Sequence, residues 1–371
     1  MARTAEREEP VSDAKPFPMN SWYAAAWGHE IRHALTPRTI CGKDIVLYRR
    51  TTGEVAALED ACWHRLLPLS LGRLDGDQVV CGYHGLVFDA GGRCTHMPAQ
   101  ETINPSACVR SFPVVERHRL VWTWMGDPAL ADPDRIPDFH WNDGTDWVGE
   151  GGTFYSLKCD YRLVIDNLMD LTHETYVHAG SIGDDAITRN PFEVTHTDRT
   201  ATVERWMEDI EPPPFWARQL ASTGRSGRVD RWQVILFQAP STVVGDVGVA
   251  LTGTGARAGD RSQGVNGCFL AAITPETETS CHYFWNFVRT YRTDDDELTR
   301  QLNLAHVNNG RGVYDQDHAV LEAQQAAIER NRRQPFYNLN IDAGALWARR
   351  LIGAMIAAES GAAPQPRMAA E

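Results

Sequence analysis

Two short segments, Cys62-Trp63-His64 and Cys81-Gly82-Tyr83-His84, each offer one thiol and one imidazole, and sixteen residues separate them. Four such ligands divide naturally between two irons, with both Cys on one and both neutral His on the other iron of a [2Fe–2S] cluster. Imidazole in place of thiolate raises the reduction potential, which makes a mild one-electron carrier. Zinc also accepts two Cys and two His, but its sites usually pair Cys with Cys and His with His, whereas each pair here is mixed. Gly82 and Gly85 allow close backbone approach, so that amide groups can donate hydrogen bonds to the sulfurs and tune the potential.

A second set of metal-binding types recurs in DNLMDLTHETYVH, from Asp166 to His178. Asn167, Asp170 and His173 are spaced by three and would share one helix face. His178 lies five residues past His173, roughly 140° away on a 3.6-residue period, so the helix is expected to distort or stop between them. Two His and a carboxylate make the facial triad of non-haem Fe(II) sites, which leaves positions open for O2 and water. The expected carboxylate is Asp317, in VYDQDHAVLEAQQ, where Val313, Asp317, Leu321 and Gln324 would share an inward face; Asp315 is the alternative. Asp170, among Leu168, Met169 and Leu171, reads as buried and in need of a partner. A hydrogen bond to the second nitrogen of His173 would supply one and orient the ring. An electron carrier built into a longer chain implies an acceptor in the same chain, and this set can hold one.

The chain that must position these groups has 371 residues, 43% hydrophobic and 23% charged, which suits two well-packed domains. From Pro18 to about Met125 it reads as short strands: IVLYRR, a turn at Thr52-Gly53, VAALED, then LVFDA, a turn at Gly91-Gly92, RCTHM, and LVWTW. The connector GDPALADPDRIPDF carries Pro128, Pro133 and Pro137, which discourage regular structure. Beyond it, LVIDNLMDLTHETYV reads as a helix, QVILFQAPSTVVGDVGVAL and HYFWNFVRTY as strands, and ELTRQLNLAHVNNGRGVYDQDHAVLEAQQAAIERN as helix with a break near Asn309-Gly310. GALWARRLIGAMIAAES reads as a final helix. The fold class is thus α+β: a tail over 1–17, an all-β domain over 18–127, a mixed domain over 128–358 and a tail over 359–371.

Net charge of −13 works against nucleic acid or anionic lipid as partners. The polar start MARTAEREEPVSDAKP lacks a signal-peptide pattern, and no run reaches the roughly 18 apolar residues of a membrane helix, so a cytoplasmic location is expected. Cys41, Cys94, Cys108, Cys159, Cys268 and Cys281 are scattered and read as buried thiols of a reducing compartment.

Taken together, these motifs resemble the Rieske non-haem iron oxygenases from about Pro18 to Glu359. CDYRLVIDNLMDLTHETYVHAGSIG, VCGYHGLVF, PPFW, DRWQ, TPETET and NIDAG are similar to the vanillate-demethylating members. The resemblance implies a Rieske domain followed by a helix-grip domain, an antiparallel sheet around a long helix. It implies that Cys62, His64, Cys81 and His84 bind the cluster and that His173, His178 and Asp317 bind mononuclear Fe(II). Asn167 would lie near the iron, and Asp170 would bridge His173 to the partner subunit's His84 in a homotrimer. The family often has Pro after the first Cys; Trp63 stands there, followed by Leu66-Leu67 where smaller residues are common.

The implied reaction is oxidative demethylation of vanillate by O2 to protocatechuate and formaldehyde. Its electrons would come from NADH through a separate flavin and iron-sulfur reductase, since the chain carries no dinucleotide fingerprint. For an aromatic acid, Arg231, Gln233, His282 and Asn286 are candidate donors and Phe284 an apolar wall, all on alternating strand segments. Other specificities of the same family, a Rieske electron carrier, and a zinc-stabilised binding protein are the alternatives.

Overall fold

β-branched and aromatic runs between Gly- and Asp-marked turns favour short strands in the N-terminal third. In the computed structural model, which describes residues 16–361 apart from 99, 145, 150, 151 and 153, these are β1 (Trp22–Trp27), β2 (Thr36–Ile40), β3 (Lys43–Arg49), β4 (Val55–Glu59), β5 (Arg73–Asp75), β6 (Gln78–Val80), β7 (Val87–Phe88), β8 (Cys94–His96), β9 (Val114–Arg117) and β10 (Leu120–Trp124). They form three antiparallel sheets ordered β2-β3-β4, β5-β6-β7-β8 and β1-β10-β9. The turns expected at Thr52-Gly53 and Gly91-Gly92 join β3 to β4 and β7 to β8. Gly92 has φ +84°, and a Cβ there would lie 2.0 Å from the Val109 carbonyl oxygen, so only glycine fits. In the connector, Pro128 and Pro133 each begin a single 3-10 turn capped by the preceding Asp127 or Asp132.

The second half is built on one seven-stranded antiparallel sheet. Its strands are β11 (Phe154–Leu157), β12 (Phe192–His196), β13 (Thr200–Ile210), β14 (Val229–Gln238), β15 (Thr242–Leu251), β16 (Gly264–Thr277) and β17 (Ser280–Arg289), in the order β11-β17-β16-β15-β14-β13-β12. The helices are α1 (Tyr161–Met169), α2 (Glu174–Val177), α3 (Ala186–Arg189), α4 (Pro214–Ala221), α5 (Asp296–His306), α6 (Val313–Arg330) and α7 (Ala343–Glu359).

Strands β16 and β17 are buried on both faces, and the period of two assigns each residue to one of them. Ala271, Ile273, Cys281, Tyr283 and Trp285 join the core made with α1, α6 and α7. Cys268, Leu270, Ala272, Phe284 and Val288 face the other way and pack on Trp22, Trp122 and Trp124 of the N-terminal strands. Three hydrogen bonds fix the register between the halves: Thr274 Oγ1 donates to the Ala24 carbonyl, and the amides of Cys41 and Gly42 donate to the carbonyls of Pro275 and Glu276, at 2.7 to 2.8 Å.

The helical break near Asn309-Gly310 is present, since α5 ends at His306, α6 begins at Val313, and both break residues have positive φ. The inward stripe of α6 is Tyr314, Asp317, Leu321 and Gln325 rather than one through Val313 and Gln324, the latter being exposed. Both sets keep 3.6-residue spacing and share Asp317 and Leu321; the observed stripe is turned slightly, toward Tyr314 and Gln325.

The expected tails lie mostly outside the described residues, but their inner ends are ordered. Phe17 is buried against the α1 residue Tyr161. Glu359, the last residue of α7, accepts hydrogen bonds from the backbone amides of Met19 and Asn20, both at 2.8 Å. Of the six scattered cysteines, Cys108 is exposed and the other five are buried. Among the described residues, no helix is long and apolar enough to cross a membrane.

Candidate functional site

The two Cys/His loops repeat one backbone design. Cys62 N–H donates to the Leu67 carbonyl and Leu66 N–H to the Cys62 carbonyl, both at 2.9 Å; Cys81 N–H donates to Leu86 at 2.8 Å and Gly85 N–H to Cys81 at 3.1 Å. The residue four past each Cys, Leu66 or Gly85, takes positive φ. Both thiols are buried, while His64 and His84 lie at the exposed tip with their Nδ1 atoms 3.1 Å apart.

Burial, and the Cys81 thiol beside it, push the Cys62 thiol up to about 11, so that loading a metal there also displaces protons. Among the described residues, groups of three ligand atoms within 4.8 Å of one another comprise only His173, His178 and Asp317. The loop ligands therefore stand as a thiol pair and an imidazole pair, which fits two bridged irons and does not fit the single tetrahedral point zinc requires. Gly82 allows a different close approach from the expected one: a Cβ there would meet the Leu71 carbonyl oxygen at 2.7 Å. Tyr83 lies against His84, with ring centroids 3.8 Å apart.

The second set converges more tightly. Helix α1 stops at Met169, because Asp170 turns extended with ψ 106°. His173 then caps the start of α2 and His178 its end. This corrects the expected single face for Asn167, Asp170 and His173, while α2 ends at Val177, so the helix stops before His178 as the spacing requires. Nε2 of His173 and of His178 lie 3.5 and 3.2 Å from Asp317 Oδ1, and Asn167 Nδ2 donates to the same oxygen at 3.2 Å. His178 Nδ1 is hydrogen-bonded to Gln316 Oε1 at 2.8 Å, and His173 Nδ1 to the Asp170 backbone carbonyl. Amide and peptide oxygens only accept, so both rings donate from Nδ1, and Nε2, on the Asp317 side, is the atom left to bind a metal. Burial favours the neutral form of His178, yet the hydrogen bond and charge of Asp317, with Gln316 and Glu174, outweigh it and raise its pKa above the ordinary imidazole value.

Asp170 was expected to hydrogen-bond His173 through its carboxylate. Instead its carboxylate accepts from Thr172 N–H at 2.7 Å, and its backbone carbonyl takes the imidazole. An Asx turn of this kind satisfies the acid locally and ends the helix. Asp315 is excluded from the site: its carboxylate gathers the amides of Asn308, Gly310 and Gly312 and the Tyr155 hydroxyl. Burial opposes its charge, but these bonds hold it below the ordinary carboxylate range.

The triad opens on a cavity walled by Leu168, Ile182, Phe215, Trp216 and Phe287, with Arg231 and Gln233 also on its lining. His282, Phe284 and Asn286 do not line it. They share the phase of β17 that faces the N-terminal half, where His282 Nε2 meets the Thr39 carbonyl, Phe284 packs on the Trp cluster, and Asn286 donates to Asn142. The neighbours Tyr283, Trp285 and Phe287 face the helices and cavity.

Glu174 went unnoticed in the sequence, since an acid after a His carries no spacing signal. Its carboxylate accepts from Arg231 Nη2 at 2.9 Å and Gln233 Nε2 at 2.8 Å, while Arg231 Nη1 binds Asp184 at 2.9 Å. Arg231 is 2% exposed and is thus a structural cation already matched by two acids.

Comparison with known proteins gives these geometries a family. The Rieske [2Fe-2S] domain matches residues 21–113 and the vanillate O-demethylase oxygenase C-terminal domain matches residues 157–358. A vanillate O-demethylase oxygenase subunit of a Pseudomonas species is 44% identical over 88% of this chain and 98% of its own. The iron-sulfur subunit of a toluene-4-sulfonate monooxygenase system from Comamonas testosteroni is 38% identical over 93% of this chain and 99% of its own. A crystal structure of dicamba monooxygenase bound to 3,6-dichlorosalicylic acid superposes with a TM-score of 0.84 at 36% identity, covering 93% of this chain and 99% of that one.

The class is a Rieske non-haem iron monooxygenase, an oxygenase component that depends on a separate NADH-driven reductase, a [2Fe–2S] cluster, mononuclear iron and O2. Within it, the chain belongs to the vanillate O-demethylase oxygenase family. The electron-carrier and zinc-protein alternatives fall away.

Two outcomes test the supports of the triad. Gln316→Leu removes the acceptor that orients His178 and should weaken iron binding about 10- to 100-fold, read by chelator competition, with cluster absorbance unchanged. Arg231→Met leaves the buried Glu174 and the half-buried Asp184 without their cation and should cost about 3 to 5 kcal/mol in denaturant unfolding.

Proposed function

We propose that this protein is the terminal oxygenase that demethylates vanillate, with Cys62, His64, Cys81 and His84 holding the cluster and His173, His178 and Asp317 holding the iron. The observation that carries the reading is the triad's position on the wall of a cavity lined chiefly by apolar and aromatic side chains. Such walls suit a flat aromatic ring. The balanced reaction is vanillate, O2, NADH and H+ to protocatechuate, formaldehyde, NAD+ and water. When bound, the cluster supplies single electrons and the iron activates O2 for insertion into a methyl C–H bond.

The chain's own residues do the rest. Leu168, Ile182, Phe215 and Phe287 exclude water and hold the ring. Gln316 and the Asp170 carbonyl keep the imidazole protons on Nδ1, and Asn167 holds the Asp317 carboxylate in place. The hydroxylated methyl ether is a hemiacetal; its O–H proton passes to the aryl oxygen as the C–O bond breaks, releasing phenol and formaldehyde.

We further infer a homotrimer in which Asp170 bridges to the partner subunit's His84. Support comes from exposed apolar side chains beside both centres: Trp63, Leu66 and Tyr83 around the cluster loops, and Tyr176 between the two triad His. Exposed apolar side chains at both centres suit faces that associate.

Purified protein with its reductase, NADH and vanillate under O2 should release formaldehyde and protocatechuate in equal amounts; turnover of a different aromatic with none of vanillate would refute the assignment. Asp170→Asn should keep three irons per chain yet slow reoxidation of the reduced cluster in stopped flow. A wild-type reoxidation rate would remove Asp170 from the electron route.

A further inference from the structure

His306 is the last residue of α5 and lines the same cavity as the triad. It is buried, with its ring stacked on Phe287 at 4.7 Å between centroids and close to Tyr314 at 5.4 Å. Nδ1 meets the Leu302 carbonyl at 2.7 Å, one turn back on its own helix. A carbonyl can only accept, so the proton is on Nδ1 and Nε2, at the far edge of the ring, carries a lone pair. Burial holds the pKa down to about 4, so the ring is neutral at ordinary pH and Nε2 remains an acceptor. Among the described residues, the bond at Nδ1 is the ring's one hydrogen bond.

On the rest of the lining the Arg231 Nη groups and the Gln233 amide are already used, while, among the described residues, Arg231 Nε and Gln233 Oε1 are buried without a partner. Arg231 is shared between Glu174 and Asp184, and Gln233 donates its amide to Glu174. An unpaired acceptor in an apolar wall is costly unless a ligand supplies the missing hydrogen. On the reading that the substrate is a methoxylated aromatic, we propose that His306 Nε2 accepts a hydrogen bond from a ring hydroxyl. His306 thereby makes the cavity selective for hydroxylated methoxyarenes over those that lack the donor or carry an ether oxygen in its place.

The test is calorimetric titration of the oxidised holoenzyme, without reductase, using vanillate against 3-methoxybenzoate and guaiacol against anisole. The hydroxylated member of each pair should bind about tenfold more tightly, the equivalent of one neutral hydrogen bond. In His306→Leu the preference should collapse to about one while the affinity for the unhydroxylated member changes less than about threefold; His306→Gln, which keeps an acceptor, should retain part of it. On the wild type alone, 3,4-dimethoxybenzoate should bind no better than 3-methoxybenzoate, so the inference stands or falls even where a variant does not fold. An unchanged preference in His306→Leu, no preference in the wild type, or 3,4-dimethoxybenzoate binding as tightly as vanillate would overturn it. Discrimination within the guaiacol pair without any vanillate binding would sink the vanillate assignment and leave the role of His306 intact.

Discussion

The Glu174 carboxylate, gripped by Arg231 and Gln233 of the interior strand β14, is the contact on which the placement of His173 and His178 depends. Helix α2 is four residues long, far too short to be stable by itself, yet it sets the spacing between His173 and His178. Buried charge-assisted bonds to an interior strand of the sheet give this short segment a fixed address. Removing the cation would leave Glu174 charged in a buried site with, among the described residues, only Gln233 to meet it, so the network behaves as a unit. Asp317 reaches the same point from α6, an 18-residue helix that needs no such help.

The sheet serves two functions through its period of two. One face carries the helices and the cavity; the other is covered by the Trp-rich strands of the cluster-bearing half. A change on β17 therefore acts on the chemistry or on the seam between the halves according to its parity. The seam is polar as well as apolar, since His282 meets Thr39 and Arg38 lies over the Phe154 ring.

What was legible in the sequence was the local chemistry. Mixed Cys/His spacing showed a two-iron cluster rather than zinc, and the five-residue gap between His173 and His178 required a broken helix. Asp317 could be preferred to Asp315 from the inward stripe of α6, although its detail was off by one at Gln324. What stayed hidden was phase and partnership. Every residue of β17 is partly or fully buried, so hydropathy could not say which parity faced the cavity, and His282, Phe284 and Asn286 were placed on the wrong side. Arg231 looked like a free anion receptor because its counterions, Glu174 and Asp184, are distant in sequence. Asp170 was misjudged for a third reason: a short acid beside a helix end satisfies itself on the backbone.

The clasp between Glu359 and the amides of Met19 and Asn20 bears on the order of assembly. Synthesis runs from the N-terminus, and the leading strands emerge first. The segment at Phe17–Asn20 cannot reach its final state then, because both the α1 surface under Phe17 and the carboxylate that receives its amides are still to come. The beginning of the described chain is thus among the last parts to be settled, and the final turn of α7 acts as a latch that closes only on a finished molecule.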